Sequence, residues 1–147
     1  MATSILNSRQ PLIRIGYYND SNKFYSIKSR ILSFYQGDDI DIQYQIYNKT
    51  NLPTNPSPQY FDLTDIAITF ILKNGQWKED ETLLSYGEGG GIEIIGSPTN
   101  GTFKVSIPTG ITLTMEPQHY LYYLTFTDEA DGNKLRTIIK DFIEILT

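Results

Sequence analysis

The sequence predicts an all-β domain folded as a β-sandwich, on three observations. Apolar and polar residues alternate at period two through most of the chain. Turn residues (Gly, Asn, Asp, Pro) interrupt these runs about every ten positions, the spacing of short sandwich strands. No segment keeps a helical 3.6-residue apolar period over about eleven positions. At 147 residues, 39% hydrophobic and 20% charged, the chain suits one domain with a core that needs neither metal nor disulfide.

Taken in order, residues 1–36 contain two strand-like runs, "PLIRIGYY" and "FYSIKSRILSFY", separated by Asn19-Asp20-Ser21-Asn22. Their extra aromatic residues set them apart, and they read as an extended, basic and aromatic N-terminal arm before a sandwich spanning 37–147. In "DDIDIQYQIYN", Ile40, Ile42, Tyr44 and Ile46 share one face while Asp39, Asp41, Gln43 and Gln45 share the other. "NKTNLPTNPSPQYF" is rich in Asn and Pro and reads as an exposed loop. "TDIAITFILKNG" aligns Ile66, Ile68, Phe70 and Leu72, then offers Asn74-Gly75 as a hairpin turn. The glycine-rich "SYGEGGG" leads into a short strand, Ile92 to Ile95. After the turn at Pro98 to Gly101, "GTFKVSIP" aligns Phe103, Val105 and Ile107. "PTGITLTMEPQHY" has room for one helical turn, around Leu113 to Glu116. Tyr120 to Phe126 is apolar on both faces, as a central strand is, and Asp131-Gly132 turns the chain into the last strand, "LRTIIKDFIEIL". About seven strands follow Gly37.

Charge is uneven. Residues 1–36 hold five basic residues against Asp20, a balance of +4, whereas residues 37–147 hold seven basic against sixteen acidic, a balance of −9. A basic arm resting on an acidic body, its own or a neighbour's, fits that division. Direct nucleic-acid binding does not, because the basic residues are dispersed and the body repels phosphate.

The tests for chemistry are negative. A phosphate cradle needs a helix N-terminus followed by Lys and a hydroxyl, but after Gly91 comes Ile-Glu-Ile-Ile. G-x-G-x-x-G fails too, since from Gly87 and Gly89 the third position is Ile92. "TDEADGNK" has Ile138 where a calcium loop needs its bidentate glutamate. Asp38, Asp39 and Asp41 read as a solvated strand edge, and His119, the only histidine, has no cysteine or G-x-S-x-G to work with. Cysteine is absent, which removes thiolate metal sites and cysteine nucleophiles. The expectation is a non-enzyme with no catalytic residues, cofactor or metal. The first residues carry no secretory pattern and no stretch reaches membrane-span length, so neither a membrane partner nor export is expected. Asn48-Lys49-Thr50 and Asn100-Gly101-Thr102 are then turn chemistry rather than glycosylation sites.

From Phe34 onward the order of features resembles the immunoglobulin-like β-sandwich modules of bacteriophage virions, in particular the N-terminal domain of upper baseplate proteins and related small tail proteins. The residues that carry it are Gly37-Asp38 before "IDIQYQIY", Asp62-Leu63-Thr64 before "DIAITFIL", Gly91-Ile92, Gly101-Thr102-Phe103, Pro117 to Tyr123, and Asp131-Gly132 before Leu135 to Leu146. The likeness spans about three quarters of the chain. The long Asn/Pro loop, His119 in place of a usual basic residue, and the arm depart from it. The resemblance implies an immunoglobulin-like antiparallel β-sandwich and a structural role. The expected protein is a multi-copy virion component, assembled in the host cytoplasm, that joins or decorates tail, baseplate or capsid. Its expected partners are other virion structural proteins and further copies of itself.

Contact through the arm is expected of Arg14, Tyr17, Tyr18, Phe24, Tyr25, Lys28, Arg30, Phe34 and Tyr35. Thirty-six extended residues reach about 120 Å at most, enough to add a strand to a neighbour. A rival reading is a carbohydrate-binding sandwich for host recognition, in which Trp77 stacks on a sugar ring.

Overall fold

The computed structural model describes residues 11–18, 23–26, 31–48, 59–87 and 90–146. Two sheets pack face to face. In the first, the strand order is β2 (Lys23–Ser26), β1 (Leu12–Tyr18), β4 (Ile40–Asn48), β9 (Thr102–Ile107), β8 (Ile92–Ile94), with β5 (Gln59–Tyr60) on the end of β4. In the second it is β3 (Leu32–Tyr35), β11 (Lys134–Leu146), β10 (His119–Asp128), β6 (Ile66–Lys73), β7 (Thr82–Tyr86). The chain passes between the sheets at both flanks, from β2 to β3 and from β7 to β8.

The alternation becomes the core. Ile40, Ile42, Tyr44 and Ile46 of β4 are buried, as are Ile66, Ile68, Phe70 and Leu72 of β6, while their intervening neighbours are half-buried. β10 runs between β6 and β11 as a central strand with Tyr120, Leu121 and Tyr122 all buried. Each such side chain contributes roughly 1.5–3 kcal/mol of burial. Phe103 meets Phe126 across the sheets at 5.9 Å, with Tyr44 stacked on Phe103 within its own sheet at 5.2 Å and Phe61 on Phe126 at 5.8 Å.

The N-terminal segments are not an arm where they are described. β1 pairs in parallel with β4, Leu12 opposite Gln43 through Tyr17 opposite Asn48, and β3 pairs in parallel with β11, Leu32 opposite Ile143 through Tyr35 opposite Leu146. Both sheets are therefore mixed rather than purely antiparallel. The physical reason is burial: Ile15, Tyr17, Leu32 and Phe34 alternate like the body strands, and each meets the shared core.

Two smaller expectations shift. The helical turn, α1, lies at Thr109–Thr112, ahead of the expected Leu113 to Glu116, because Asp39 accepts hydrogen bonds from the Thr109 N–H and hydroxyl and fixes the start there. Asn74-Gly75 does not form a two-residue hairpin. Gly75 extends the ladder by accepting from Leu121 N–H at 2.8 Å, and the connection closes later, where Asn74 N–H reaches Glu81 O at 2.7 Å. β7 and β8, which flank the glycine-rich segment, are edge strands of different sheets. Ten positions of the Asn/Pro loop, 49–58, lie outside the described residues, as do Glu88 and Gly89. Among the described residues, no helix is long and apolar enough to cross a membrane.

The registers define two poles. The near pole gathers the β3–β4 turn, residues 74–81, α1 and the approach to β10; the far pole gathers residues 61–65, 95–101 and 129–133.

Candidate functional site

The near pole is braced by polar contacts. Gln36 Nε2 donates to Leu113 O and Met115 O, the Thr112 hydroxyl donates to Asp38 O at 2.7 Å, and Asp38 Oδ2 accepts from Tyr35 N–H at 2.9 Å. Asp41 accepts from the Ser106 hydroxyl at 2.6 Å. Asp39 is exposed and Asp38 and Asp41 half-buried, and all three also tie the start of β4 to its surroundings. The two Thr109 hydrogen bonds hold the Asp39 carboxyl below its usual range.

On this frame sit apolar side chains open to solvent. Tyr35 is 47% exposed, Leu113 59% and Trp77 70%. Tyr35 borders an open groove with Pro117, Gln118 and Glu144. Glu144 Oε1 accepts from the Ser33 hydroxyl at 2.8 Å, and its Oε2 lies 4.0 Å from His119 Nε2, so one carboxylate spans β3, β11 and β10. Trp77 stands on a loop closed twice: its N–H donates to Asp80 Oδ2 at 2.9 Å and its O accepts from Asp80 N–H at 3.1 Å.

The expected contact residues separate into three groups. Tyr17, Phe24 and Phe34 turn into the protein: Tyr17 and Phe34 are buried, and Phe24 packs at 4.7 Å from Tyr17 and 5.7 Å from Phe126. They are corrected from interface anchors to core residues, because an aromatic ring on the inner face of a strand loses its water there. Arg14 and Tyr35 are exposed. Tyr18 and Tyr25 belong to β1 and β2 by backbone, with side chains outside the described part, and Lys28 and Arg30 lie outside the described residues altogether. Leu113 was missed. Its signal was an apolar residue in "GITLTM" on a single helical turn, too short to bury a full face.

Nothing brings catalytic groups together among the described residues, and no group of three or more His, Asp or Glu is placed to hold a metal there. At the would-be phosphate loop, Gly91 O accepts from Ser106 N–H at 2.9 Å as part of the sheet, and Gly91 has φ 114°.

No protein-family model and no curated protein matches the sequence. Among solved structures, the chain is similar to the N-terminal domain of phage TP901-1 ORF48, at 12% identity and a TM-score of 0.49, covering 94% of this chain and 100% of that one. It is also similar to Na-dithionite-reduced auracyanin from the photosynthetic bacterium Roseiflexus castenholzii, at 7% identity and a TM-score of 0.45, covering 95% and 98%. Two proteins so differently described, at these levels of likeness, carry no argument about what this chain does.

Proposed function

We propose that the chain is a non-enzymatic structural protein of a bacteriophage virion, present in several copies, that joins or decorates tail, baseplate or capsid components. The observation that supports this reading is the ordered set of motifs from Gly37-Asp38 to Asp131-Gly132, whose resemblance is to virion sandwich modules. Its partners in this reading are other virion proteins and further copies of the chain, met after assembly in the host cytoplasm. Membranes, nucleic acid and cofactors have no part in it. With Tyr17, Phe24 and Phe34 committed to the core, the contact face moves to the near pole, where Tyr35 and Leu113 present apolar surface on a braced frame.

The test is mass spectrometry of purified particles made from the genome that encodes the chain. Several copies per particle are expected, and Tyr35→Ser with Leu113→Ser yields folded protein that fails to incorporate. Protein abundant in the lysate but missing from particles would end the proposal.

One observation favours a second reading. A tryptophan 70% exposed on a hydrogen-bonded loop is a ready stacking platform for a sugar ring. A glycan array decides it: specific binding that disappears in Trp77→Ala supports carbohydrate recognition, and no binding removes it.

A further inference from the structure

An open sheet edge invites pairing with another chain, and proteins that avoid this shorten, charge or cover the edge. The two sheets end on β2, β8, β3 and β7. β8 is three residues long and β2 four. β3 is closed by its own chain. Gln36 N–H bonds Leu146 O, so Tyr35 turns its backbone groups away from β11, and there Asp38 takes both of them. Its Oδ2 accepts from Tyr35 N–H at 2.9 Å and its N–H donates to Tyr35 O at 3.0 Å.

β7 has no such device. Its five residues, Thr-Leu-Leu-Ser-Tyr, include neither a charge nor a proline. Asn74 N–H reaches Glu81 O, so the even-numbered residues of β6 bond toward β7, and Leu84 and Tyr86, opposite Leu72 and Phe70, direct their N–H and C=O to β6. Ser85, between them, is exposed and turns its N–H and C=O outward, where none of the described residues bonds them. The irregularity in the pairing lies between Leu72 and Lys73, at the Thr82 end, and leaves Leu84 to Tyr86 in register. Past β7 the chain turns back at once: Gly90 N–H donates to Gly87 O at 3.2 Å, and Gly91 joins the other sheet by accepting from Ser106 N–H.

Charge says what suits this edge. Glu79, Asp80 and Glu81 lead into β7 and Glu88 follows it in the sequence, against Lys78. Asp80 is engaged with the Trp77 N–H, but Glu79 and Glu81 are exposed, and Lys73 is held by the Thr82 hydroxyl at 3.1 Å. An antiparallel pair of β7 strands would set the acidic lead-in of each against the acidic exit of the other, which opposes a second copy as the occupant.

We propose that β7 receives an extended segment of a partner protein, uncharged where it lies along Leu83 to Tyr86 and carrying Lys or Arg at its ends. Its backbone bonds Ser85, and its basic ends meet Glu79 and Glu81. The inference stands apart from the virion reading and holds for any partner of this chemistry.

The test titrates 15N-labelled full-length protein at low salt with acetyl-Arg-Thr-Val-Thr-Val-Thr-Arg-amide, with its analogue N-methylated at each Val and Thr, and with a version ending in Gln in place of both Arg. The first peptide is expected to shift the Ser85 amide resonance saturably and to slow its hydrogen exchange. The methylated analogue leaves that amide unmoved, and the Gln version binds about tenfold more weakly. Ser85→Pro removes the outward N–H at a position where an edge strand tolerates proline, so it is expected to keep a cooperative melting transition and lose about tenfold or more in affinity. Should that variant unfold, the methylated analogue decides on the native protein. Absence of saturation, equal affinity for the methylated analogue or the Gln version, or unchanged affinity in folded Ser85→Pro overturns the proposal. Dimerisation of the protein alone that Ser85→Pro abolishes would overturn it in favour of a second copy.

Discussion

Tyr44 is fully buried between the sheets, and its hydroxyl closes no hydrogen bond of ordinary geometry, although Tyr122 faces it from the opposite strand set. Burial pushes the Tyr44 hydroxyl well above its usual pKa, and burial raises Tyr122 as well. An unpaired buried hydroxyl costs about 1–3 kcal/mol, so Tyr44→Phe is expected to raise the unfolding free energy in urea by about 1 kcal/mol. Lower stability in that variant would mean the hydroxyl has a partner after all. The same residues set an alkaline limit. A tyrosine whose folded pKa lies above its unfolded value of about 10 stabilises the fold below pH 10, and that contribution is lost as pH rises toward the folded value. Unfolding followed by circular dichroism is expected to begin above about pH 10. In Tyr44→Phe with Tyr122→Phe its midpoint moves upward; an unmoved midpoint would assign the limit to other groups. At the acid side Asp39 acts in the opposite sense. Its depressed pKa gives stability present above about pH 4 and lost below, a loss that Thr109→Val is expected to flatten.

At the scale of elements, turns decide where strands stop, and two glycines separate the causes. Gly101 has φ 62°, and a Cβ there would lie 2.6 Å from Ile46 O, a backbone atom that cannot move aside. Gly132 has φ 65° with open space around it. Gly101→Ala is therefore expected to cost about 2–4 kcal/mol and Gly132→Ala only about 1 kcal/mol. Equal losses in denaturant titrations would mean that crowding at Gly101 is irrelevant. Much of this level was legible in the residues. The alternation in "IDIQYQIY" and "AITFILK" became β4 and β6 with every expected residue inside. The adjacent Ile138 and Ile139, both buried, break alternation and are the trace of a bulge against β10. What stayed hidden was pairing across distance. The neighbour of β1 is β4 and that of β3 is β11, more than a hundred residues away, and a parallel pair has no hairpin turn to announce it. That is why Tyr17, Phe24 and Phe34 looked like the anchors of an arm. Trp77 was legible as a candidate because it is the one tryptophan of the chain, whereas the brace of the near pole needed the fold, since Gln36 and Asp38 meet Thr112, Leu113 and Met115 from far along the chain.

For the whole molecule, the pairing of β1, β2 and β3 into the sheets changes what truncation tests. Removing residues 1–36 takes away Ile15, Leu32 and Phe34, each worth roughly 1.5–3 kcal/mol, against a total stability of about 5–15 kcal/mol for an ordinary domain. The truncated chain is expected to lose its cooperative thermal transition, not merely its contacts with neighbours. A truncated protein that melts normally would show these strands to be dispensable. Pro11 lies beside Gln43 where β1 enters parallel to β4, and Leu146 O accepts from Gln36 N–H at the close of β11. The described chain therefore begins β1 from, and ends β11 at, the side of the pole of Tyr35 and Leu113. If that pole is seated on a larger body, the turn at Gly132, at the opposite pole, becomes the outermost tip. A gold label or spin probe at residue 132 would then read how far the molecule projects from that body.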